Sequence, residues 1–219
     1  MSQAYFLTGT DTDVGKTLIA AALLRRAAAR GWRALGMKPV AAGGAGDVDA
    51  LIAAGNVHAP RERVNPYLLR EPLSPHLAAR RDGAAIDFER IARDCAALRA
   101  EADFLVVEGA GGFRVPLTET QDGGDLAARL ALPVILVVGL RLGCLNHALL
   151  SAEAIRARGL RLAGWVANQI DPGMACLEEN VDTLRARLAA PLLGHVPHQA
   201  RPDPARIAPL LTLPEQAGL

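Results

Sequence analysis

Cysteine is scarce in this chain of 219 residues, which contains only Cys95, Cys144 and Cys176. Their odd number and wide spacing argue against a disulfide framework and against the paired spacing of a zinc site. Reduced thiols are typical of the cytoplasm, so we expect a cytoplasmic protein. The first residues also lack a basic segment followed by an apolar run, and we therefore expect no secretion signal.

The chain also has no large excess of positive or negative side chains. The 24 lysine and arginine residues nearly balance the 23 acidic ones, giving a formal net charge of +1. This balance offers no electrostatic basis for a nucleic-acid-binding surface. Hydrophobic residues make up 51% of the chain, but the strongest apolar run, Val134–Val138, is far too short to span a bilayer. We therefore expect neither a nucleic acid nor a membrane as partner.

The chain also lacks internal repeats, low-complexity tracts and any segment that reads as a linker. Its length suffices for one sizeable hydrophobic core and does not require two. We therefore predict a single domain over residues 1–219.

What the sequence does contain is a glycine-bounded loop, Gly9–Thr17, which reads Gly-Thr-Asp-Thr-Asp-Val-Gly-Lys-Thr. It follows the apolar run Tyr5–Leu7 and precedes Leu18–Leu24, a run of strong helix formers. Unpaired N–H groups at such a helix start bind phosphate oxygens, Lys16 would reach the β- and γ-phosphates, and the Thr17 hydroxyl would bind Mg²⁺. Five residues instead of the usual four separate the two glycines. The alternative is an ordinary turn that contains Gly-Lys-Thr.

Apolar runs alternate with helical patterns along the rest of the chain. The predicted strands are Arg33–Val40, Phe104–Val107, Pro133–Gly139, Leu160–Ala167 and Pro191–Gly194. The predicted helices are Asp47–Ile52, Asp87–Ala100, Asp125–Leu130, Leu145–Arg158 and Glu178–Leu188. This alternation predicts a doubly wound α/β fold, with a mostly parallel sheet and helices on both faces. The pattern weakens from Val57 to Pro75, and long irregular excursions of this kind tend to be functional.

The carboxyl ends of parallel strands meet at one crevice. We therefore expect Lys38, Glu108, Gly139 and Asn168 to lie on the same rim as the phosphate loop. Lys38 would join Lys16 there and stabilise charge on a transferred phosphoryl group. A lone lysine at a strand exit is otherwise usually a solvated charge.

A Mg²⁺ ion bound to a triphosphate takes oxygen ligands from one or two carboxylates, the loop hydroxyl and the phosphates. Glu108 is the first candidate carboxylate, because the glycine-rich segment Gly109–Gly112 after it lets the backbone approach a ligand closely. Asp49 is the second candidate, and Asp47 is its neighbour and competitor. Either acidic residue could instead be a solvated strand end or a helix cap.

Several segments together carry a resemblance to a known family. They are, in order, Thr8–Thr17, Lys38–Ala41, Asn65–Tyr67, Ser74–His76, Val107–Gly112, Leu132–Val138, Leu142–His147 and Gly164–Asn168. Their sequence resembles the dethiobiotin synthetases over the chain up to about Pro197, far more specifically than the phosphate loop alone. The tail after Pro197 matches poorly.

The resemblance implies a P-loop NTPase-like fold and an ATP- and Mg²⁺-dependent cyclo-ligase of biotin biosynthesis. Such an enzyme closes a ureido ring on 7,8-diaminononanoate with CO₂ and releases ADP and phosphate. One substrate amine takes up CO₂ as a carbamate, ATP phosphorylates the carbamate, and the second amine attacks the mixed anhydride.

The resemblance also implies roles for individual residues. Lys16 and Lys38 would be catalytic, with Thr12 beside them, and Thr17, Asp49 and Glu108 would bind Mg²⁺. Nucleotide contacts would come from Asp13, Val14, Gly15, Lys16, Thr17, Leu18, Asp49, Glu108, Gly109, Ala110, Gly111, Asn168, Gln169, Pro197, His198 and Gln199. The diamine would contact Thr12, Lys38, Ala42 and, from the second subunit of a homodimer, the helix start Gly143, Cys144, Leu145 and Asn146, whose free N–H groups suit a carboxylate.

Two residues depart from the family pattern. Asp13 stands where the family usually has glutamate, a shortening that the site should tolerate. Ala42 stands where serine is common, and the missing hydroxyl predicts a loss of about 1 kcal/mol of substrate binding unless another donor takes its place.

Three other functions are weighed against this one. A partitioning or positioning ATPase would carry a signature lysine early in the loop, where this chain has Asp11, and usually a basic or amphipathic surface segment. The synthetase domain of cobyrinate amidation enzymes is accompanied by a glutaminase domain, for which the chain has no room. A nucleotide-binding module without catalysis is the third alternative.

Overall fold

The computed structural model of the chain describes residues 2–214. The strands are β1 (Gln3–Gly9), β2 (Ala34–Met37), β3 (Val40–Ala42), β4 (Tyr67–Leu69), β5 (Phe104–Gly112), β6 (Val134–Leu140), β7 (Leu162–Gln169) and β8 (Leu192–Val196). The α-helices are α1 (Lys16–Ala28), α2 (Gly46–Ala54), α3 (Arg61–Val64), α4 (Pro75–Asp82), α5 (Phe88–Glu101), α6 (Gly123–Leu130), α7 (Cys144–Ala157), α8 (Leu177–Arg187) and α9 (Pro204–Ile207). A short 3₁₀ turn, Ala208–Leu210, follows α9.

Six strands form a parallel sheet in the order β2-β5-β1-β6-β7-β8, so β1 lies at the centre with β5 and β6 beside it. The register places Phe6 of β1 opposite Val107 of β5 and Val134 of β6. Side chains alternate between the two faces of a strand, and both faces are buried here. Tyr5 and Leu7 pack with α1 and α9, whereas Ala4 and Phe6 pack on the side of α5, α6, α7 and α8. The predicted doubly wound α/β fold is confirmed.

The prediction of one strand over Arg33–Val40 is wrong. The chain leaves the large sheet after Met37, and β3 pairs with β4 in a separate two-stranded parallel sheet. Pro39 has no N–H to give to a sheet ladder, and the N–H of Lys38 donates instead to the carbonyl of Val64, 2.8 Å away. This break turns Lys38 out of the sheet and into the crevice that the site occupies.

The weakly patterned segment from Val57 to Pro75 contains α3 and β4, which the sequence did not predict. Asn65 fixes its path, because the side-chain amide donates to the carbonyls of Lys38 (2.6 Å) and Tyr67 (3.1 Å). The excursion therefore folds back against the end of β2 and forms one wall of the site.

Within the described range, the helices are all too short or too polar to cross a membrane. The predicted single domain also includes residue 1 and residues 215–219, which lie outside the described part of the chain, and it stays a prediction.

Candidate functional site

The phosphate loop connects the central strand β1 to α1. Gly15 is the N-cap of α1 with a left-handed backbone (φ 88°), and a Cβ at this position would clash with the side-chain amide of Asn168. Only glycine meets both requirements without strain. The first N–H groups of α1 have no partner within the helix, so the loop presents them, with the positive end of the helix dipole, to an anion.

A cavity of about 830 Å³ opens next to this loop. It brings together most of the residues expected at the phosphates and at the reacting groups. The predicted residues that line it are Thr12, Asp13, Gly15, Lys16, Thr17, Leu18, Lys38, Ala42, Glu108, Ala110 and Gly111. Val14 is buried next to this set, and the carbonyl of Gly109 lies 3.5 Å from Lys38 Nζ. One cavity therefore joins the phosphate loop to the ends of β2 and β5.

Glu108 is the centre of a buried polar cluster. Its Oε1 accepts hydrogen bonds from Lys38 Nζ (2.5 Å) and from the Thr17 hydroxyl (2.7 Å). Lys38 Nζ also lies 2.8 Å from Asp47 Oδ2. These bonds fix the ammonium group of Lys38 at the wall of the cavity, at the carboxyl edge of the sheet.

The chain contains only two lysines, and both line this cavity. Burial, together with the charge of Lys38, lowers the pKa of Lys16 to about 8. Burial also opposes the charge on Lys38, but Glu108 and Asp47 outweigh that effect and raise its pKa. Lys38 is therefore held as an ammonium ion, whereas Lys16 Nζ donates to the carbonyl of Asp11 at 2.8 Å and has no carboxylate partner among residues 2–214.

The donor set at Glu108 fits a divalent cation. The side chain is fully buried, and its Oε2 has no hydrogen-bond partner among residues 2–214. Burial raises the pKa of Glu108 although Lys38 favours the charged form, so further positive charge beside it would stabilise the carboxylate. Thr17 and Asp47 supply oxygen atoms next to it. The described residues contain no group of three or more His, Cys, Asp or Glu side chains placed to hold a metal ion.

The structure does not bring Asp49 to the cavity. Its side chain is 61% exposed and lies 2.7 Å from Arg61. Asp47, two residues earlier on α2, lines the cavity instead and has its pKa lowered, because Lys38 outweighs the effect of burial. The sequence favoured Asp49, with Asp47 as its competitor, and the local pattern does not show how α2 packs against the sheet.

The residues expected at the purine lie on the other side of the loop, outside the cavity lining. Asn168 is buried, and its Nδ2 donates to the carbonyl of Val14 at 2.8 Å. Gln169 accepts from the backbone N–H of His198 at 3.2 Å, while Pro197 is exposed and Gln199 half-buried. Asn168 thus braces the phosphate loop, and Gln169 ties the 197–199 segment to β7.

The helix start expected at the substrate carboxylate is not part of this cavity. Gly143 is the N-cap of α7 with a left-handed backbone, Cys144 is buried, Leu145 is half-buried and Asn146 is exposed. Leu142, just before them, is 95% exposed. None of these four residues therefore lines the cavity of its own chain.

The apolar part of the cavity was predicted from the sequence only in part. Its wall consists of Val40, Ala41 and Ala42 after the Pro39 break, Pro72, Leu73 and Pro75 from the long excursion, and Val115 after β5. The sequence predicted Ala42 as a substrate contact and a functional role for the excursion, but not Pro72, Leu73 or Val115, because tertiary packing brings these residues together.

Asp11 occupies the loop position where partitioning ATPases carry a lysine. Its carboxylate lies 2.6 Å from Arg141 Nη2, and both side chains are partly exposed. The early part of the loop is thus held by an ion pair to the segment that leads into α7.

The chain is similar in sequence to known proteins over most of its length. A family model described as an AAA domain matches residues 3–206. The ATP-dependent dethiobiotin synthetase of Aromatoleum aromaticum is 55% identical over 97% of this chain and 98% of its own length. The corresponding synthetase of Ralstonia nicotianae is 56% identical, over 93% of this chain and 92% of its own.

Solved structures show the same fold at low sequence identity. The MinC:MinD cell division complex of Aquifex aeolicus aligns with a TM-score of 0.59 at 18% identity, covering 91% of this chain and 83% of that one. A ParA family ATPase of Chlorobium tepidum aligns with a TM-score of 0.55 at 13% identity, covering 90% and 84%. These likenesses establish the P-loop fold alone. The identity to the synthetases over nearly the full length is what decides the family, and the chain therefore belongs to the ATP-dependent dethiobiotin synthetases, a family of ligases.

Proposed function

We propose that the protein closes the ureido ring of dethiobiotin in biotin biosynthesis. Its substrates are 7,8-diaminononanoate, CO₂ and MgATP, and its products are dethiobiotin, ADP and phosphate. The observation that carries the proposal is the single cavity in which the phosphate loop, two lysines, a buried carboxylate and an apolar wall meet. A triphosphate, an anionic carbamate and an aliphatic chain each find matching groups there.

The triphosphate binds the N–H groups at the start of α1. Lys16, the loop lysine, neutralises the β- and γ-phosphates. Burial of its ammonium group lowers its pKa to about 8, and a nearby anion raises that pKa again. The phosphates of the bound nucleotide thus give the ammonium group of Lys16 an anionic partner.

Mg²⁺ fits between the Thr17 hydroxyl, Glu108 and the first turn of α2, where Asp47 is the carboxylate that the structure offers. The sequence favoured Asp49 for this place. When bound with ATP, the ion neutralises phosphate charge and orients the γ-phosphoryl group.

The reaction follows from the charges in the cavity. One amine of the substrate adds to CO₂ and loses a proton, giving a carbamate whose oxygen attacks the γ-phosphorus while ADP leaves. The second amine then attacks the carbamate carbon. The C–N bond forms, the C–O bond to the phosphoryl group breaks, and phosphate leaves with that oxygen. Lys38, held as an ammonium ion and joined by Lys16 and Thr12, stabilises the negative charge on the carbamate and on the phosphoryl oxygens.

The purine lies on the far side of the loop, against Asn168, Gln169 and the segment Pro197–Gln199. Asn168 uses its side-chain NH₂ group on Val14, which leaves its carbonyl oxygen to accept a hydrogen bond from a base. The hydrogen bond from the backbone N–H of His198 to Gln169 holds the segment Pro197–Gln199 beside β7.

The substrate carboxylate is bound by a second copy of the chain. The helix start Gly143–Asn146 lies outside the cavity of its own subunit, and the exposed Leu142 precedes it. A homodimer in which α7 faces the cavity of the partner completes the site. The cytoplasmic location inferred from the thiols stays a prediction.

The direct test incubates the protein with MgATP, bicarbonate and the diamine and follows phosphate release. We expect release that depends on all three, with dethiobiotin detected by mass spectrometry. Phosphate release that is independent of the diamine, or no release at all, would remove the proposed function.

A further inference from the structure

A clamped segment, Arg70–Pro75, forms part of the apolar wall of the cavity. Arg70 binds Asp82 through its backbone N–H (2.9 Å) and its Nε (2.8 Å), and Glu71 pairs with Arg81. Pro72 packs against Gly43 so closely that a Cβ on this glycine would lie 2.5 Å from the Cβ of Pro72. The C-terminal end of α4 and the exit of β3 thus fix the segment, and a group that it carries has a defined position.

Ser74 is the polar residue that this clamped segment presents to the cavity. The other polar side chains of the lining belong to the phosphate loop or to the Lys38–Glu108–Asp47 cluster. Ser74 stands apart from them among Pro72, Leu73 and Pro75.

The hydroxyl of Ser74 does not cap the helix that follows it. Ser74 is the N-cap of α4, a position where serine normally accepts a hydrogen bond from the helix, but the structure shows no side-chain cap bond here. The Oγ atom instead lies 3.1 Å from Nδ1 of His76. The hydroxyl is therefore oriented by the imidazole and not by the helix.

We propose that Ser74, oriented by His76, binds the attacking amine of the diamine and positions it toward the carbamate carbon. The hydroxyl donates its proton to Nδ1 of His76, in the tautomer that carries its proton on Nε2. Its oxygen then keeps lone pairs for an N–H donor, which matches a neutral amine and not an anion. The anionic carbamate is served by Lys16 and Lys38.

This inference rests on the proposed function and names a substrate-positioning residue for it. It assigns the amine a hydrogen-bond acceptor on a wall that otherwise offers aliphatic contacts for the chain of the substrate.

The test compares Ser74→Ala with the wild type, using initial rates at varied diamine and at varied ATP. We expect kcat/KM for the diamine to fall roughly tenfold, the size of one hydrogen bond of about 1.4 kcal/mol, and KM for ATP to change less than twofold. Thr183→Ala, which removes a hydroxyl on α8 outside the cavity, is the matched control and should leave both constants unchanged.

Two further measurements separate positioning from a structural effect. His76→Asn, whose carboxamide oxygen can replace Nδ1 as acceptor, should retain more activity than His76→Leu. The inhibition constants of the two monoamine analogues, each lacking one amine, should differ: Ser74→Ala should weaken binding only of the analogue that keeps the attacking amine.

The outcomes are distinct. Unchanged diamine kinetics in Ser74→Ala, or equal losses for ATP and diamine, would overturn this inference while diamine-dependent turnover of the wild type upholds the proposed function. A wild type without diamine-dependent turnover would overturn both.

Discussion

At the scale of single residues, the two lysines of the chain have opposite environments in one cavity. Lys38 has two carboxylates within hydrogen-bonding distance, whereas Lys16 has a carbonyl. Nearby carboxylates keep an ammonium group charged, and burial without them disfavours the charge. Lys38 is thus held firmly in the charged form before any substrate arrives, whereas the charged form of Lys16, with a pKa of about 8, is less favoured until an anion binds beside it.

For Lys38→Ala we expect kcat to fall by about 10²-fold to 10³-fold, the cost of removing one donor to developing charge. The dissociation constant of ATP should change less than threefold, because the phosphates bind mainly to the loop. Rapid-quench kinetics and calorimetric titration measure the two quantities. Equal effects on both would make Lys38 a nucleotide anchor only.

This variant needs a control for folding, because it leaves Glu108 buried without Lys38, and an uncompensated buried charge costs about 3–5 kcal/mol. Lys38→Met keeps most of the side-chain volume and should show the same loss of kcat. Arg185→Ala, which removes an exposed cation on α8, should have no effect on kcat.

The lowered pKa of Lys16 can be measured directly, because selectively labelled lysine gives signals from only two side chains. We expect one ammonium to titrate with a pKa of about 8 and the other above the ordinary value of 10.5. Saturation with MgATP should raise the lower value. Two unperturbed titrations would contradict the burial of Lys16.

The same shift predicts a pH dependence of stability. The folded pKa of about 8 lies below the unfolded value of 10.5, so the unfolded chain binds more protons between these values and stability rises with pH there. Below pH 8 the charged Lys16 costs the fold roughly 3 kcal/mol. In urea unfolding, the free energy of unfolding of Lys16→Met should therefore exceed that of the wild type at pH 7. This difference between the two proteins should become smaller toward pH 10.

At the scale of elements, the site depends on how a few helix and strand ends meet. Two contacts hold the phosphate loop: Asn168 of β7 donates a hydrogen bond to the carbonyl of Val14, and Arg141 forms an ion pair with Asp11. The groups that we propose for the metal come from three separate elements, α1, α2 and β5. Their alignment is a property of the packing and not of any one segment.

Asn168→Ala removes the hydrogen bond that braces the loop. We expect the dissociation constant of ATP to rise about tenfold and kcat at saturating ATP to stay within twofold, because the reacting groups are untouched. Asn180→Ala, an exposed amide on α8 that bonds to Cys176, is the control. A large loss of kcat with unchanged ATP binding would contradict a bracing role.

The first turn of α2 offers two aspartates, and their amide variants decide between them. Asp47→Asn should weaken Mn²⁺ binding about tenfold or more, measured by electron paramagnetic resonance in the presence of ADP, and should raise the Mg²⁺ requirement of the reaction. Asp49→Asn should change both less than twofold, since this residue forms an exposed ion pair. The reverse result would assign the metal to Asp49, as the sequence favoured.

Local patterns predicted those parts of the site that local structure determines. The loop Gly9–Thr17 and the apolar run Phe104–Val107 that leads to Glu108 follow from the residues themselves, because a strand, a glycine turn and a helix start need no distant partner. The continuation of β5 to Gly112, the break at Pro39, the placement of Asp47 rather than Asp49 in the cavity and the position of Ser74 were not predicted. Each depends on packing between segments far apart in the sequence, such as the docking of Asn65 on Lys38.

At the scale of the whole molecule, the cavity formed within residues 2–214 holds the groups that we propose for phosphates, metal and carbamate. The start of α7, whose N–H groups we propose for the distant carboxylate of the substrate, is not part of that lining and lies beside the exposed Leu142 on a helix that also exposes Leu150. Two copies related by symmetry can complete each other in this way.

Leu142→Asp should therefore shift the protein toward the monomer in analytical ultracentrifugation. The KM for the diamine should rise at least tenfold, while ATP binding stays unchanged because the phosphate loop is complete within one chain. Leu210→Asp, an exposed leucine after α9, is the matched control. A wild type that is monomeric at the concentration of the assay and fully active would contradict the shared site.

The most direct test of the chemistry follows oxygen from CO₂ into phosphate. If the carbamate is phosphorylated by ATP and the second amine then closes the ring, the bridging oxygen leaves with the phosphoryl group. The reaction is run with C¹⁸O₂, MgATP and the diamine, for a time shorter than the exchange of oxygen between CO₂ and water. We predict one ¹⁸O atom in each phosphate released, detected by mass spectrometry. Unlabelled phosphate formed together with dethiobiotin would contradict this mechanism.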